Sequence, residues 1–410
     1  MKKKLFTRDF TLVVIGQIIS LFGNAILRFA LPLYLLRQKN SSTIFGMATA
    51  VSFIPMVVLS IIGGILADRV NKRNIMVILD FSTAFLIILL CFTFKEVPIV
   101  PLFITVMMIL YGISGTYQPA VQASIPLLVD SDNLVAGNAI INQVSTLANL
   151  LGPIIGGMLF GVGGLTPILI VSIICFVLSA IMEIFIKIPF IKKEDKKGIF
   201  SIAKDDMKEG LEFVKKDKPI FFSVAFVVAV FNLILSAAMI VGIPVLIVQI
   251  FKMSDTKLGI TQGVSALGGL FGGVLAAIGH KKFKPKNAHR LLGICGLCVG
   301  IIGIVLLLKT SNFVFYISIT VISFASMVFA TMFNIQTITL VQSQTPSHLV
   351  GKIMAILFAI VLSAQPIGQA IYGAMFDVFH DMPWVLLISS AFISCLIALY
   401  SRKVFSMLTV

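Results

Sequence analysis

"GGILADRVNKRN", residues 63–74, lies between two long apolar runs and sets one acid, Asp68, among three bases, Arg69, Lys72 and Arg73, behind a pair of glycines. So tight a knot of charge stands out because the chain has little elsewhere. Of its 410 residues 58% are hydrophobic and 12% charged, with mean hydropathy +1.07. An ordinary soluble domain carries about 25% charged residues. A bilayer is the solvent that accommodates repeated apolar runs of helix-crossing length. The runs lack the period-2 alternation of barrel strands, so helices are predicted.

Twelve spans are read from the runs: 10–36, 43–67, 74–95, 99–122, 136–163, 166–187, 220–250, 258–280, 289–309, 313–341, 352–378 and 383–402. The basic start "MKKKLFTRDF" resembles a signal-peptide n-region. The apolar run behind it is too long and offers no small-residue cleavage site, so it reads as a retained first span. With the N-terminus inside, 25 of the 32 Lys and Arg fall in cytoplasmic segments or at the span ends beside them and 6 outside; Arg28 alone lies away from the ends of a span. That bias predicts a multi-pass protein of the cell membrane with both termini cytoplasmic. It also accounts for the net charge of +15, with lipid rather than nucleic acid as the partner of the basic segments.

The spans divide six and six around the one long polar segment, residues 188–219. The predicted domains are 1–190, a basic amphipathic cytoplasmic linker at 191–218, and 219–410. In the linker Ile202, Met207, Leu211, Phe213 and Val214 form an apolar side expected to lie on the membrane surface. The halves echo one another. "PAVQASIPLLVDSDNLVAGNA" enters the fifth span as "QTITLVQSQTPSHLVGKIMA" enters the eleventh, and "GPIIGG" (152–157) has a looser counterpart in "QPIGQA" (365–370). Such parallel repeats are one transporter architecture. "CGLC" (295–298) falls within an apolar run without further ligands and reads as packing, not as a metal or redox site.

"GGILADRVNKR" resembles the loop between the second and third helices of the major facilitator superfamily. Gly64, Leu66, Asp68, Arg69, Lys72 and Arg73 match it, and Asn71 stands where the family usually has glycine. Asparagine tolerates positive φ better than other non-glycine residues, so the same turn is expected. "GPIIGG", with Gly152, Pro153, Gly156 and Gly157, resembles the core of the family's antiporter motif, although Ala148 replaces an earlier glycine. The loops at 117–139 and 345–377 look like those of macrolide-efflux and siderophore-exporting permeases. The resemblance implies an all-α fold of twelve membrane helices in two pseudo-symmetric bundles and alternating access. It also implies a gate in which the loop acid faces the N-terminal end of the eleventh span, near Gly351 and Lys352.

The resemblance places spans 1, 4, 7 and 10 around a central cavity, and polar residues on those spans agree. In the first, Gln17, Ser20, Asn24 and Arg28 are spaced 3, 4 and 4 apart and share one face. The fourth offers Tyr111, Gln118 and Gln122, the seventh Asn232 and Ser236, the tenth Ser326, Asn334 and Thr337. Candidate substrate contacts are therefore Gln17, Asn24, Arg28, Tyr111, Gln118, Asn232, Ser236 and Asn334. A stripe on the fifth span, Asn138, Asn142, Ser145 and Asn149, fits helix–helix hydrogen bonding equally well. Arg28 lies 19 residues beyond Asp9, about 28 Å along a helix. It either binds substrate or reaches the outer headgroups.

Carboxylates are scarce: Asp80, Glu183 and Asp377 lie near span ends, and the four histidines lie in or beside loops. Proton coupling is thus an expectation from the family. Asp80 is the candidate carrier, with pairing to the nearby bases as its other reading. No paired carboxylates at mid-span, nucleophile–base set or metal cluster points to an enzyme or a cofactor. The expected function is export of amphipathic small molecules, macrolide-like or siderophore-like, by a monomer. A receptor or scaffold of the same fold without transport is the alternative.

Overall fold

A computed structural model describes residues 5–130, 133–189, 199–278, 287–346 and 349–407, and within them every side chain except those of 61, 65, 68, 135, 199–206 and 355. The Asp68 side chain, Lys2, Lys3 and Lys4, Ile202, and the basic run 281–286 therefore lie outside the described residues. Within them the protein is helical, without strands.

The helices are α1 (Arg8–Lys39), α2 (Ser42–Arg69), α3 (Lys72–Thr93), α4 (Ile99–Leu128), α5 (Leu134–Gly163), α6 (Leu165–Ile184), α7 (Ile199–Lys216), α8 (Ile220–Phe231), α9 (Ala237–Pro244), α10 (Asp255–Ile278), α11 (Ala288–Leu307), α12 (Asn312–Ser343), α13 (Val350–Val378) and α14 (Pro383–Met407). With α8 and α9 joined as Ile220–Ile250, twelve helical stretches among the described residues are long and apolar enough to cross a membrane.

Local signals set the ends. Thr7 caps α1 by accepting the Phe10 N–H at 3.3 Å, and Asn40 ends it in the left-handed region at φ 46°. Gly164, at φ 65°, makes a one-residue corner between α5 and α6. The seventh span is not regular. Asn232–Ser236 and Val245–Ile250 are π-helical, and the second stretch follows Pro244, whose missing N–H breaks the α-ladder. The Phe251 N–H accordingly reaches the Leu246 carbonyl at 2.9 Å, five residues back.

The chain divides into two units. The first takes Met1–Asn40, Val51–Asp195 and Ser254–Gly263; the second takes Ser41–Ala50, Lys196–Met253 and Val264–Val410. In the first, α1 packs on α4, α5 and α6, and α3 packs on α4 and α6. Its core includes Phe10, Val13, Met76, Val121 and Ile186. In the second, α11 lies between α12 and α14, and α13 packs on α8, α9 and the intervening π turn.

The linker helix departs from the sequence expectation. α7 docks on α13, with Val214 fully buried. Gly210 comes close enough that a Cβ there would lie 2.8 Å from Ile356 Cδ1. Glu209 pairs with Lys352 at 2.6 Å. Part of the side assigned to the membrane surface is thus occupied by protein, while Met207 stays 61% exposed.

Candidate functional site

The polar residues of α1 meet α4 in three successive rungs. The Gln17 amide donates to the Tyr117 hydroxyl at 2.7 Å. About two helical turns further on, the Asn24 amide donates to Ser114 Oγ at 2.8 Å. Next, the Arg28 guanidinium carbon sits 4.2 Å from the centroid of the Tyr111 ring. Numbers rise along α1 as they fall along α4, so the ladder joins two antiparallel helices. The i, i+3 and i, i+4 spacings keep its rungs on one side of each.

The rungs differ in depth. Gln17 and Ser20 are buried, at 0% and 4% exposure, and Ser20 Oγ donates to Asp80 Oδ1 on α3 at 3.0 Å. Gln17, expected to contact substrate, and Ser20 thus face the interior of the first unit. Asn24, Arg28 and Tyr111 are partly exposed, as is Gln118.

Arg28 stacks on Tyr111, whose ring in turn lies 6.2 Å from Phe53. Its Nη2 lies 3.9 Å from Met56 Sδ, and its buried Nε has no hydrogen-bond acceptor. Among the described residues no carboxylate comes within 4.0 Å of it. A guanidinium held by an aromatic face and a thioether, with no carboxylate beside it among the described residues, keeps its charge available. Such a group can receive an anionic or electronegative ligand.

Asn232, Ser236 and Asn334 belong to the second unit. All three are partly exposed, with the Asn232 amide donating to its own helix at Val228 O, 3.1 Å away. The π turn from Asn232 to Ser236 accommodates close packing from α13, where a Cβ at Gly368 would meet Ala237 Cβ at 2.7 Å. Thr337 is buried and bonds back to Phe333 O at 2.8 Å. On α5, Asn138, Asn142 and Asn149 are exposed and Ser145 is half-buried.

The charged knot is also revised. The close approach comes from Gly63, where a Cβ would lie 2.6 Å from Thr116 Cα on α4; Gly64 faces open space. Asn71 adopts φ −59° and caps α3 by accepting the Arg73 N–H at 3.0 Å, so no positive-φ turn replaces the family glycine. Arg69, Lys72 and Arg73 are partly exposed. In "GPIIGG", Gly152 and Gly156 pack on Ala25 and Phe29 of α1, while Gly157 meets Gly259 of α10. Pro153 lies within α5. Gly351 is in the first turn of α13 with open space beside it.

Two clusters went unread in the sequence. At one, Asp377 at the end of α13 accepts Ser42 N–H at 2.8 Å, Thr43 N–H at 2.9 Å and Ser41 Oγ–H at 2.8 Å, all at the start of α2. At the other, Tyr117 O–H donates to Glu183 Oε1 at 2.6 Å. Asp80 and Glu183 are 2% and 0% exposed. Pairing of Asp80 with the bases of the 69–73 loop is not what forms: its described partner is Ser20. Its signal in the sequence was the presence of an acid within an apolar run, but the serine that meets it lies 60 residues away.

The family model of the Major Facilitator Superfamily matches residues 13–369. The chain is similar to macrolide efflux protein A of Streptococcus pyogenes, 24% identical over 387 residues, which cover 93% of this chain and 92% of that protein. It is similar to enterobactin exporter EntS of Shigella boydii serotype 4 (strain Sb227), 26% identical over 157 residues, 38% of each chain. The crystal structure of the nucleoside transporter NupG shares the fold at a TM-score of 0.77, with 11% identity, across 97% of this chain and 99% of that one. Twelve membrane-length helices, the repeat and the family match lead to one conclusion: the chain belongs to the Major Facilitator Superfamily and is a multi-pass membrane transporter with efflux proteins among its relatives.

Proposed function

We propose that this transporter exports amphipathic small molecules, macrolide-like or siderophore-like, by proton-driven alternating access. The observation that carries the reading is Arg28: an intramembrane cation stacked on Tyr111, with no carboxylate partner among the described residues. Asn24, Arg28, Tyr111 and Gln118 form the substrate contacts of the first six-helix bundle, with Asn232, Ser236 and Asn334 those of the second. Gln17 serves from behind, by holding Tyr117. An aromatic face beside a cation suits a ligand with an apolar body and an electronegative group. The likeness to macrolide efflux protein A over nearly the whole chain supports an amphipathic cargo.

The bundles are residues 1–190 and 219–410, joined through 191–218. The protein works as a monomer in the cell membrane, and the Lys and Arg bias supports an orientation with both termini cytoplasmic. Gly64, Asp68, Arg69, Lys72, Arg73, Gly152, Pro153, Gly156, Gly157 and Gly351 serve gating.

The test is transport by purified protein in lipid vesicles. Erythromycin and a catecholate siderophore are offered with and without an imposed pH gradient. Accumulation of either, dependent on the gradient, is expected. Binding without translocation would instead identify a receptor or scaffold. External labelling of a cysteine introduced at Lys196 in intact cells would overturn the topology.

A further inference from the structure

Helices α1, α3, α4 and α6 enclose two carboxyl groups that the substrate reading leaves unused. Asp80 of α3 and Glu183 of α6 are 2% and 0% exposed. Asp80 accepts a neutral hydrogen bond from Ser20 Oγ at 3.0 Å and Glu183 one from Tyr117 OH at 2.6 Å, and the Ser179 hydroxyl of α6 also lies beside Asp80. Tyr117 is held by the Gln17 amide at 2.7 Å, and Glu183 Cγ lies 3.6 Å from where a Cβ on Gly16 would stand.

Among the described residues no Lys, Arg or His lies within 4.0 Å of either acid. The groups facing the cluster are Asp80 from α3, Tyr117 from α4, Glu183 from α6, and the uncharged Gln17 and Ser20 from α1. Of the bases on these elements, Arg28 lies within α1 against Tyr111; the others stand toward the ends, with Arg8 at the start and Arg37 and Lys39 at the finish of α1, Lys72 and Arg73 at the start of α3, and Lys187 beyond α6. Lys187 donates its backbone N–H to Asp9 at 3.1 Å.

The missing partners are all donors. Asp80 Oδ2, Glu183 Oε2 and Gln17 Oε1 are buried acceptor oxygens without hydrogen bonds. Burying an ionised carboxylate without a cation is strongly unfavourable, and leaving its second oxygen unpaired adds to that penalty. A proton on one carboxyl removes a charge and creates one O–H donor at once. Gln17 shows that this deficit is not confined to the acids. Its amide is fully buried and anchored at Tyr117, yet its oxygen still lacks a donor.

We propose that Asp80 and Glu183, with Gln17, Ser20 and Tyr117, form a proton-binding site within the first bundle, and that its proton is the one exchanged for substrate. One carboxylate takes up one proton from water to become a carboxylic acid, and returns it on the opposite half of the cycle. The assignment rests on the proton-driven reading above. The α1–α4 ladder supplies the contact between this site and Arg28, through Gln17–Tyr117, Asn24–Ser114 and Arg28–Tyr111. A change in charge below Tyr117 therefore acts on the two helices that hold the substrate group.

The test uses full-length protein in lipid vesicles, as wild type and as the double variant Asp80→Asn, Glu183→Gln, which preserves size and hydrogen bonding. Infrared difference spectra between acidic and alkaline buffer read the carbonyl band of a buried carboxylic acid. The band is expected in wild type and lost in the double variant. Its absence from wild type, or its persistence in the variant, would overturn the site.

Transport separates this from the parent reading. The variant should retain exchange of erythromycin without a pH gradient and lose gradient-driven accumulation by at least about tenfold. If wild type itself ignores the gradient, proton drive fails as a whole. If both respond alike, drive stands and this cluster is not its carrier; loss of exchange in a folded variant also overturns the assignment. Thermal stabilisation of wild type by NaCl or CaCl2 that the variant lacks would identify a metal cation in the proton's place.

Discussion

Replacing Asp377 by Asn should release the start of α2. The first four N–H groups of a helix have no intrahelical acceptors, and here each is accounted for. Ser42 and Thr43 donate to the two oxygens of Asp377 at 2.8 and 2.9 Å. Ile44 donates to Ser41 Oγ at 3.3 Å, and Phe45 to Ser41 O at 3.2 Å. Ser41 Oγ is itself fixed by donating to Asp377. One carboxylate thus serves two N–H groups directly and a third through the serine.

Asparagine keeps one oxygen and turns an NH2 toward the other donor. The lost charge at a partly buried helix N-terminus is worth up to about 2 kcal/mol, and an N–H left without an acceptor costs about 1–3 kcal/mol. Relaxation of the amide and entry of water recover part of that, leaving about 1–2 kcal/mol, or a 5–30-fold change in the local opening equilibrium. Hydrogen exchange of a peptide spanning residues 41–46, measured by mass spectrometry in lipid nanodiscs, reads the change. Exchange should accelerate 5–30-fold there and remain near wild type in residues 51–69. Unchanged exchange at Ser42 and Thr43 would refute the capping argument. Acceleration spread equally along α2 would show general destabilisation instead.

Arg28→Ala should reduce transport of anionic or electronegative substrates about tenfold, a loss of about 1.4 kcal/mol, and affect cationic substrates less. Arg28→Lys should recover only part, because a point charge stacks poorly on Tyr111; equal transport of both substrate classes by wild type and variant would remove Arg28 from the site. Gly259→Val should destabilise the first unit by about 1–3 kcal/mol, since its Cβ would meet the Pro153 carbonyl of α5; a wild-type melting temperature would refute that packing. Asp68→Asn, tested because the resemblance places this acid opposite the start of α13, should shift a two-state ratio about fivefold for a loss of about 1 kcal/mol. Faster thiol labelling of cytoplasmic cavity cysteines would report it, and lost transport with unchanged labelling would exclude a latch.

Span positions were legible because hydropathy is a property of the run and needs no partner. The expected 220–250 and 352–378 correspond to Ile220–Ile250 and Val350–Val378. Helix caps were less legible: Asn71 was read for its tolerance of positive φ, but its side chain caps α3 instead. Contacts between distant residues were the least legible. The 3.6-residue period put Gln17, Ser20, Asn24 and Arg28 on one side of α1. It did not say that the first two meet Tyr117 and Asp80 in the interior while the latter two stay partly exposed. Proximity in sequence was misleading at Asp80, whose nearest bases, Lys72 and Arg73, attract attention that belongs to Ser20.

The internal repeat shows the same division between what composition carries and what packing decides. The echo of "GPIIGG" in "QPIGQA" sets Pro153 beside Pro366. Packing sets a different register. In the first unit a Cβ on Gly259 would meet the Pro153 carbonyl and lie 3.1 Å from Gly157 Cα. In the second a Cβ on Gly46 would lie 2.5 Å from the Gln369 carbonyl and 2.8 Å from Gly373 Cα. Gly46 and Gly259 each stand four residues into their helices, α2 from Ser42 and α10 from Asp255. By contact, then, Pro153 corresponds to Gln369 and Gly157 to Gly373, three residues from the register of the prolines. Each unit needs a glycine on both sides of the crossing, because backbone meets backbone there and no side chain fits. A proline needs only a helix that tolerates the loss of one hydrogen bond, so it can drift by nearly a turn between repeats while the glycines cannot.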